Sequence, residues 1–235
     1  MVTLVLLPGL DGTGLLFADF AASLPPEVKL ISVFYPPDTV LDYAGLEVLI
    51  RSYLPNNQPY FLLAESFSGP LAISIAASSP AGLRGLILCC SFARNPLPLL
   101  APFRFVLNRL PMPTPPISLL SYLLLGRFAT PSLRATLSRA LAIVSPVVLR
   151  ARARAVLTVD NSGLLRRIQI PMLYLRAKED RVVPQAASEL VVSLAPHTQV
   201  QEFLSPHFLM QVLPAKVAGT VIDFMDIRLY RSDSV

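Results

Sequence analysis

The sequence predicts an α/β fold in which a mostly parallel sheet of about six strands is flanked by helices and interrupted by an inserted helical cap. Apolar runs typical of buried strands alternate along the chain with segments of helical spacing. This alternation stops once, in a stretch rich in Pro, Leu and Arg, and then resumes. With 235 residues, 53% of them hydrophobic, the chain is long enough to bury one well-packed core.

Continuous apolar runs bounded by polar residues predict the strands. Runs of this length suit strands buried on both faces, as in a parallel sheet covered by helices. Six runs fit this description: Val2–Leu7, Lys29–Phe34, Tyr60–Ala64, Arg84–Cys90, Met172–Arg176 and Gln199–Leu204.

Apolar residues three and four positions apart predict helices between these strands. One helix is expected within residues 41–54, and residues 68–79 form a small, apolar segment suited to packing tightly against a sheet. A terminal helix is expected to begin near Pro214, a residue that suits a first helical turn. Its predicted buried stripe comprises Val217, Val221, Phe224 and Met225.

The interruption predicts a cap. Residues 1–91 and 166–235 are assigned to the α/β core, and residues 92–165 to a helical cap, or lid, inserted between two strands. Prolines near the start of the insertion would break it into short helices and turns; they are Pro96, Pro98, Pro102, Pro111, Pro113, Pro115 and Pro116.

Charge is distributed unevenly along the chain. The formal net charge is +5, and no Asp or Glu occurs between Glu65 and Asp160. This stretch contains Arg84, Arg94, Arg104, Arg109, Arg127, Arg134, Arg139, Arg150, Arg152 and Arg154. If these arginines form one basic face on the cap, it would attract an acidic carrier protein or an anionic lipid. The simpler interpretation is that they are scattered over helix surfaces and solvated. Nothing in the sequence indicates a nucleic-acid partner.

The sequence gives weak indications of compartment. Its apolar runs are too short or too interrupted to predict a transmembrane segment. Cys89 and Cys90 are neighbours in an extended run, where their side chains point to opposite faces, so a disulfide between them is not expected. A reduced, cytoplasmic location fits these features.

Ser66 is the predicted nucleophile. The apolar run ending at Ala64 leads through Glu-Ser-Phe-Ser-Gly into an apolar helix, a strand–turn–helix context that projects a serine hydroxyl at the strand's carboxyl end. Such a turn requires small residues two before and two after the serine, and Ala64 and Ser68 replace the usual glycines. The alternative interpretation is a serine that caps the helix.

Serine needs an adjacent base held in one tautomer by a carboxylate. The sequence has two histidines. His207 follows the last predicted strand and therefore shares an edge of the sheet with Ser66, whereas His197 lies in the turn entering that strand, at the opposite edge. Asp180, in the loop after the fifth strand, is the predicted acid, with Glu179 as the nearest competitor. The predicted catalytic triad is Ser66, Asp180 and His207.

Backbone amides are expected to stabilise the oxyanion. The amide of Phe67, directly after the nucleophile, is one donor, and the amide of Leu10 in the glycine-rich turn after the first strand is the second. This turn lacks both the Gly-Lys-Ser/Thr ending and the Gly-x-Gly-x-x-Gly spacing of glycine loops that bind phosphate. Neither a cofactor nor a metal site is expected.

Together, these residues resemble the α/β-hydrolase superfamily. The turns Pro-Gly-Leu-Asp-Gly-Thr-Gly and Glu-Ser-Phe-Ser-Gly are similar to those of small bacterial carboxylesterases, including pimeloyl carrier-protein methyl ester esterases, and of the hydrolase-like part of phytyl ester synthases. The resemblance to small bacterial carboxylesterases implies a helical lid over the serine, no cofactor, and esters of short to medium acyl chains as substrates. Pro8-Gly9 replaces the His-Gly of the usual oxyanion turn.

Three functions compete. The sequence favours a serine esterase that hydrolyses carboxylic esters through an acyl-enzyme. The same triad would serve an acyltransferase with an alcohol acceptor, which the Leu-rich cap and the resemblance to phytyl ester synthases favour. The third reading is a non-catalytic, hydrolase-like protein that binds an anionic partner. Serine at position 66 argues against epoxide hydrolase and dehalogenase chemistry, which uses an aspartate nucleophile.

Overall fold

The computed structural model describes residues 2–56, 58–98 and 115–232, with side chains to residue 225. Its single described sheet has six strands, all parallel, in the order β2-β1-β3-β4-β5-β6. The strands are β1 (Val2–Leu7), β2 (Val28–Ser32), β3 (Tyr60–Glu65), β4 (Leu83–Cys89), β5 (Met172–Ala177) and β6 (Thr198–Phe203). The predicted fold is confirmed, and each predicted strand is present with its ends displaced by no more than two residues.

Nine α-helices are described. In chain order they are α1 (Ala18–Ala22), α2 (Tyr43–Tyr53), α3 (Gly69–Ala77), α4 (Ile117–Leu124), α5 (Pro131–Ile143), α6 (Pro146–Val156), α7 (Gln185–Leu194), α8 (Leu209–Val212) and α9 (Pro214–Ser232). The predicted stripe of α9 is buried. Among the described helices none is long and apolar enough to cross a membrane alone. Together, α5 and α6 have the length and composition of a membrane span, but the two helices are bent by 100° relative to each other.

The sheet separates two layers of apolar packing. Successive residues of a strand point to opposite faces, so Leu62 and Ala64 pack with α2 and α3, whereas Phe61 and Leu63 pack with α1 and α9. The strands at the two ends of the sheet depart from the prediction of burial on both faces. In β6 the four central residues are exposed, because an edge strand has a neighbour on one side and less helical cover.

The segment between β4 and β5 contributes α4, α5 and α6, which pack over the carboxyl edge of the sheet. Its two ends meet in an antiparallel bridge between Arg94 and Asp160. Pro116 precedes α4 directly, and Pro131 and Pro146 begin α5 and α6. Residues 99–114 lie outside the described residues, and they include three of the prolines predicted to break the segment, Pro102, Pro111 and Pro113, and two of its arginines, Arg104 and Arg109.

Candidate active site

The structure brings the three predicted side chains together at the carboxyl edge of the sheet. Ser66 follows β3, Asp180 lies in the loop after β5, and His207 follows β6. The Nε2 atom of His207 is 2.9 Å from the Oγ of Ser66, and its Nδ1 atom is 2.8 Å from Oδ2 of Asp180. The imidazole therefore bridges a hydroxyl and a carboxylate.

Ser66 has the backbone conformation of a strained turn. Its φ is +48°, in the left-handed region that residues with a side chain rarely adopt. The turn is fixed by its neighbours, since the hydroxyl of Ser91 donates a 2.5 Å hydrogen bond to the Ser66 carbonyl. A Cβ on Gly69 would lie 1.9 Å from that same hydroxyl oxygen, so this close approach requires glycine.

Asp180 divides its two oxygens between the loop and the imidazole. Its Oδ1 accepts hydrogen bonds from the amides of Val182 and Val183, both at 2.8 Å, which leaves Oδ2 facing His207. Glu179, the predicted competitor, points outward and forms an ion pair with Arg127 at 2.5 Å. The structure therefore places the aspartate, and not the neighbouring glutamate, against the histidine.

His207 is almost fully buried, with 3% of its surface exposed. Burial opposes the charged imidazolium, but the carboxylate of Asp180, its hydrogen bond and the charge of Glu65 together outweigh burial, and the pKa of His207 is raised above its ordinary value. His197 is exposed at the opposite edge, where its ring contacts the Ile170 carbonyl at 3.2 Å. It takes no part in this cluster.

The glycine-rich turn after β1 lies beside Ser66. The amide of Gly12 donates to the Gly9 carbonyl at 3.0 Å, which closes the turn around Leu10. Among the described residues the Leu10 amide donates to no protein acceptor, and Leu10, Gly9 and Ser66 line the same cavity. The Phe67 amide lies in the first turn of a short 3₁₀ helix, Ser66–Ser68, where amides have no acceptor within the helix. The two predicted donors thus belong to residues at the nucleophile turn and at the turn beside it.

The sequence identifies Ser68 only as a small residue, whereas in the structure it connects the nucleophile turn to the turn after β1. Its hydroxyl donates a short hydrogen bond to the Pro8 carbonyl, and the Tyr35 hydroxyl donates to Ser68 Oγ at 2.6 Å. A glycine at position 68 could not make this connection between the two turns. The sequence contains no signal for it, because the partner carbonyl belongs to the backbone.

Glu65 and Gln211 form a second buried polar pair that the sequence did not indicate. The Gln211 side-chain amide donates to Glu65 Oε1 at 2.9 Å, directly beneath the nucleophile turn. Burial raises the pKa of Glu65 to about 7, although the hydrogen bond from Gln211 acts in the opposite direction. A carboxyl that titrates near neutrality therefore lies next to Ser66.

The Cys90 thiol lies beside the Asp180–His207 pair, and the potential ligand atoms of these three residues lie within 4.8 Å of one another. Burial raises the pKa of the Cys90 thiol well above its ordinary value, which favours the neutral form. The Nδ1 of His207 is already bonded to Asp180. Cys90 is therefore a neutral neighbour of the triad in this arrangement, and both cysteines are free.

Comparison with known families places this site in context. The model of a family described as serine aminopeptidase, S33, matches residues 38–212, which include Ser66, Asp180 and His207. The chain belongs to this α/β-hydrolase family. Comparison with the sequences of curated proteins gives no match.

Solved structures share the fold of this hydrolase at low sequence identity. A thermophilic esterase from Thermogutta terrifontis has a TM-score of 0.79 and 19% identity, over 96% of this chain and 89% of that one. An esterase from Exiguobacterium antarcticum has a TM-score of 0.78 and 16% identity, over 96% and 92%. A bromoperoxidase from Bacillus anthracis has a TM-score of 0.76 and 14% identity, over 95% and 91%. Proteins named for different activities share the fold, so chemistry must be argued from the site.

An apolar cavity of about 240 Å³ opens over the Ser66 hydroxyl of the hydrolase. Its floor is formed by the turn residues Gly9 to Asp11 together with Glu65, Ser66 and His207. Its walls are formed by side chains of the helical segment: Leu120, Leu123, Leu124, Leu137 and Leu141. The lining described contains no lysine or arginine.

Several arginines of the predicted basic cap are engaged within the hydrolase. Arg127 pairs with Glu179, and Arg134 donates to Ser121 Oγ at 3.1 Å. Arg152 is buried and donates to backbone carbonyls. The interpretation of scattered solvated arginines therefore does not describe the buried Arg152, whereas Arg127 and Arg134 are exposed.

Proposed function

We propose that this hydrolase cleaves carboxylic esters through an acyl-enzyme formed on Ser66. The observation that carries the proposal is the pair of hydrogen bonds made by His207, 2.9 Å to the Ser66 hydroxyl and 2.8 Å to the Asp180 carboxylate. An imidazole in this arrangement accepts a proton from serine while its other nitrogen donates to a carboxylate. The arrangement supports nucleophilic acyl transfer.

In the first half-reaction the Ser66 oxygen attacks the ester carbonyl carbon and its proton passes to Nε2 of His207. The negative charge that develops on the carbonyl oxygen is stabilised by the amides of Leu10 and Phe67. Each such donor is worth about 2.7 to 4 kcal/mol of transition-state stabilisation. The C–O bond then breaks, and the imidazolium returns the proton to the leaving alcohol.

In the second half-reaction a water molecule attacks the acyl-enzyme carbonyl and gives a proton to Nε2 of His207. The bond between the acyl carbon and Ser66 Oγ then breaks, the imidazolium returns the proton to that oxygen, and the carboxylic acid product leaves. Asp180 holds the ring with Nδ1 protonated throughout. Because the pKa of His207 is raised, a larger fraction of the free enzyme is protonated in mildly acidic solution, and the rate is expected to decline there.

The cavity above Ser66 supports an uncharged, aliphatic acyl group. Five leucines from the helical segment line it, and its polar lining residues belong to the nucleophile turn, the turn after β1 and the catalytic histidine. Its volume, about 240 Å³, fits short to medium acyl chains better than long ones. We assign the segment the role of a lid that excludes water from the acyl-enzyme.

A panel of p-nitrophenyl esters of graded acyl length, run on the wild type, Ser66→Ala and the control Ser193→Ala, tests the proposal. Ser193 is exposed on α7 and donates to a carbonyl of its own helix. We expect Ser66→Ala to lose about 10⁴-fold or more in kcat and all labelling by a fluorophosphonate. Labelling and turnover of Ser66→Ala at the wild-type level would refute the proposal.

Acyl transfer to an alcohol is a second candidate, and the leucine-lined cavity is the observation that favours it. Product ratios measured with an added long-chain alcohol separate the two reactions. Ester formation at saturating alcohol would establish transfer, whereas free acid alone would establish hydrolysis.

An acidic carrier protein or an anionic lipid at the cap is proposed as the source of the acyl group. Arg139, on the exposed part of α5, is a side chain available for such contacts, since its described hydrogen bond is to Thr136 of the same helix. Binding that weakens steeply between low and high salt would support this partner. Binding without salt dependence would argue against it.

A further inference from the structure

Arg152 is a cap residue that reaches the turn beside the nucleophile. It lies on α6, and 2% of its surface is exposed. Its Nη1 donates to the Leu10 carbonyl at 3.1 Å and to the Asp11 carbonyl at 2.7 Å, and its Nη2 donates to the Pro36 carbonyl at 2.9 Å. The guanidinium also lies 5.5 Å from the ring centre of Tyr35. One buried cation thus connects three backbone carbonyls.

This arrangement has a considerable desolvation cost. Burying a charged group is unfavourable unless hydrogen bonds and nearby charges compensate for it, and burial lowers the pKa of Arg152 against the attraction of Asp11. No ion pair of Arg152 with a carboxylate is found among the described residues. An apolar side chain would fill this position at a lower desolvation cost. Packing alone therefore does not explain why a guanidinium group is buried here.

The explanation lies in the peptide planes of the turn. A trans peptide points its N–H and C=O in opposite directions. The Gly9 carbonyl accepts from the Gly12 amide, which directs the Leu10 N–H to the other side. The next two carbonyls, those of Leu10 and Asp11, are the ones that Arg152 holds. Arg152 thus holds the two peptide planes that directly follow the Leu10 amide, which restricts rotation of that amide.

The contact between Arg152 and the turn is tight. Gly12 has φ +73°, and a Cβ there would lie 2.5 Å from Nη1 of Arg152 and 2.8 Å from the Cβ of Tyr35. The opposite end of the turn, the Pro8 carbonyl, is held by the Ser68 hydroxyl. The turn is therefore clamped from the core side and from the cap side.

We propose that Arg152 is a positioning residue for ester cleavage, through which the cap fixes the Leu10 amide as an oxyanion donor. This inference rests on the proposed function. It assigns the cap a part in the chemical step besides its part in covering the acyl chain. Such a residue should affect stabilisation of the transition state more than binding of the ground state.

The test compares wild type, Arg152→Ala, Arg152→Lys and the control Arg150→Ala, which removes a half-exposed arginine of the same helix. Kinetics use p-nitrophenyl butyrate, and a trifluoromethyl ketone serves as an analogue of the tetrahedral intermediate. We expect Arg152→Ala to lower kcat by about 10- to 100-fold, because a donor displaced by about 1 Å loses a comparable factor. KM should stay within about twofold, and the ketone should bind more weakly by the same factor as kcat.

Arg152→Lys keeps the charge and the aliphatic stem but loses the planar guanidinium group with its several donors. Its kcat is expected to lie between those of the wild type and Arg152→Ala. Circular dichroism and thermal unfolding establish which variants are folded; if Arg152→Ala does not fold, the lysine variant decides. A folded lysine variant with wild-type kcat and wild-type ketone affinity would overturn the role of Arg152, as would a loss confined to KM. Absence of Ser66-dependent cleavage in the wild type would instead refute the proposed function itself.

Discussion

The buried carboxyl of Glu65 should make the stability of this hydrolase depend on pH near neutrality. Glu65 is 3% exposed beneath the nucleophile turn, and burial raises its pKa from 4.5 to about 7. A carboxyl whose pKa is higher in the folded than in the unfolded state binds a proton on folding. Its favourable contribution is fully present below pH 4.5 and is lost as the pH rises through about 7. Glu65→Gln removes this titration and keeps an amide of similar shape.

The size of the effect follows from the two pKa values. They differ by about 2.5, the difference between about 7 and 4.5. One pH unit corresponds to about 1.36 kcal/mol, so the free energy of unfolding of the wild type should fall by about 3 kcal/mol relative to Glu65→Gln between pH 4 and pH 8. Titrating groups other than Glu65 are common to both proteins, so their contributions largely cancel in the difference.

Urea unfolding of both proteins at several pH values measures this difference. Glu27→Gln is the matched control, since Glu27 is exposed in the loop before β2 and its replacement should leave the pH dependence unchanged. A difference between wild type and Glu65→Gln that stays constant from pH 4 to pH 8 would show that Glu65 does not titrate near neutrality. The reasoning from burial would then be wrong.

Three further predictions address the site directly. Asp180→Asn should lower kcat by about 10⁴-fold with the fold intact, because the amide cannot orient the imidazole as the carboxylate does; a loss below tenfold in steady-state kinetics would contradict this. Gly69→Ala should lower the free energy of unfolding by about 1 to 3 kcal/mol, since its Cβ would lie 1.9 Å from the Ser91 hydroxyl; unfolding in urea measures this, and wild-type stability would refute the close approach. Leu137→Phe should narrow the cavity and lower kcat/KM for octanoyl relative to acetyl esters by about tenfold, and an unchanged acyl preference would remove Leu137 from the acyl wall.

The sequence was most informative where chemistry follows directly from strand order. In a parallel sheet the residues after each strand meet at one edge, so Ser66 and His207 could be brought together from the apolar runs alone. The same rule separated His197, which precedes β6, from His207, which follows it. The choice between Asp180 and Glu179 rested on order and position only, and the structure supplies its physical basis in the two loop amides that orient Asp180.

Contacts between distant segments could not be predicted in this way. Arg152 reaches a carbonyl 141 residues away in the chain, and Gln211 reaches a carboxyl 146 residues away. In the sequence, Arg152 is one of three alternating arginines in α6, and its neighbours have the same composition. The helical spacing predicts a helix but leaves open which arginine faces the core, because that depends on how the helix packs over the turn. Exposure of β6 was missed for a related reason, since the order of strands in the sheet decides which of them lie at an edge.

In the proposed mechanism the helical segment does more than cover the cavity. Its leucines form the walls of the cavity, Arg152 holds the turn that carries the Leu10 amide, and the Leu124 carbonyl accepts from the Phe208 amide at 3.0 Å, directly after His207. Three parts of the proposed mechanism, the acyl pocket, the oxyanion donor and the base, thus contact one inserted segment. A displacement of this segment large enough to release all three contacts would free the cavity and disturb the catalytic geometry at once.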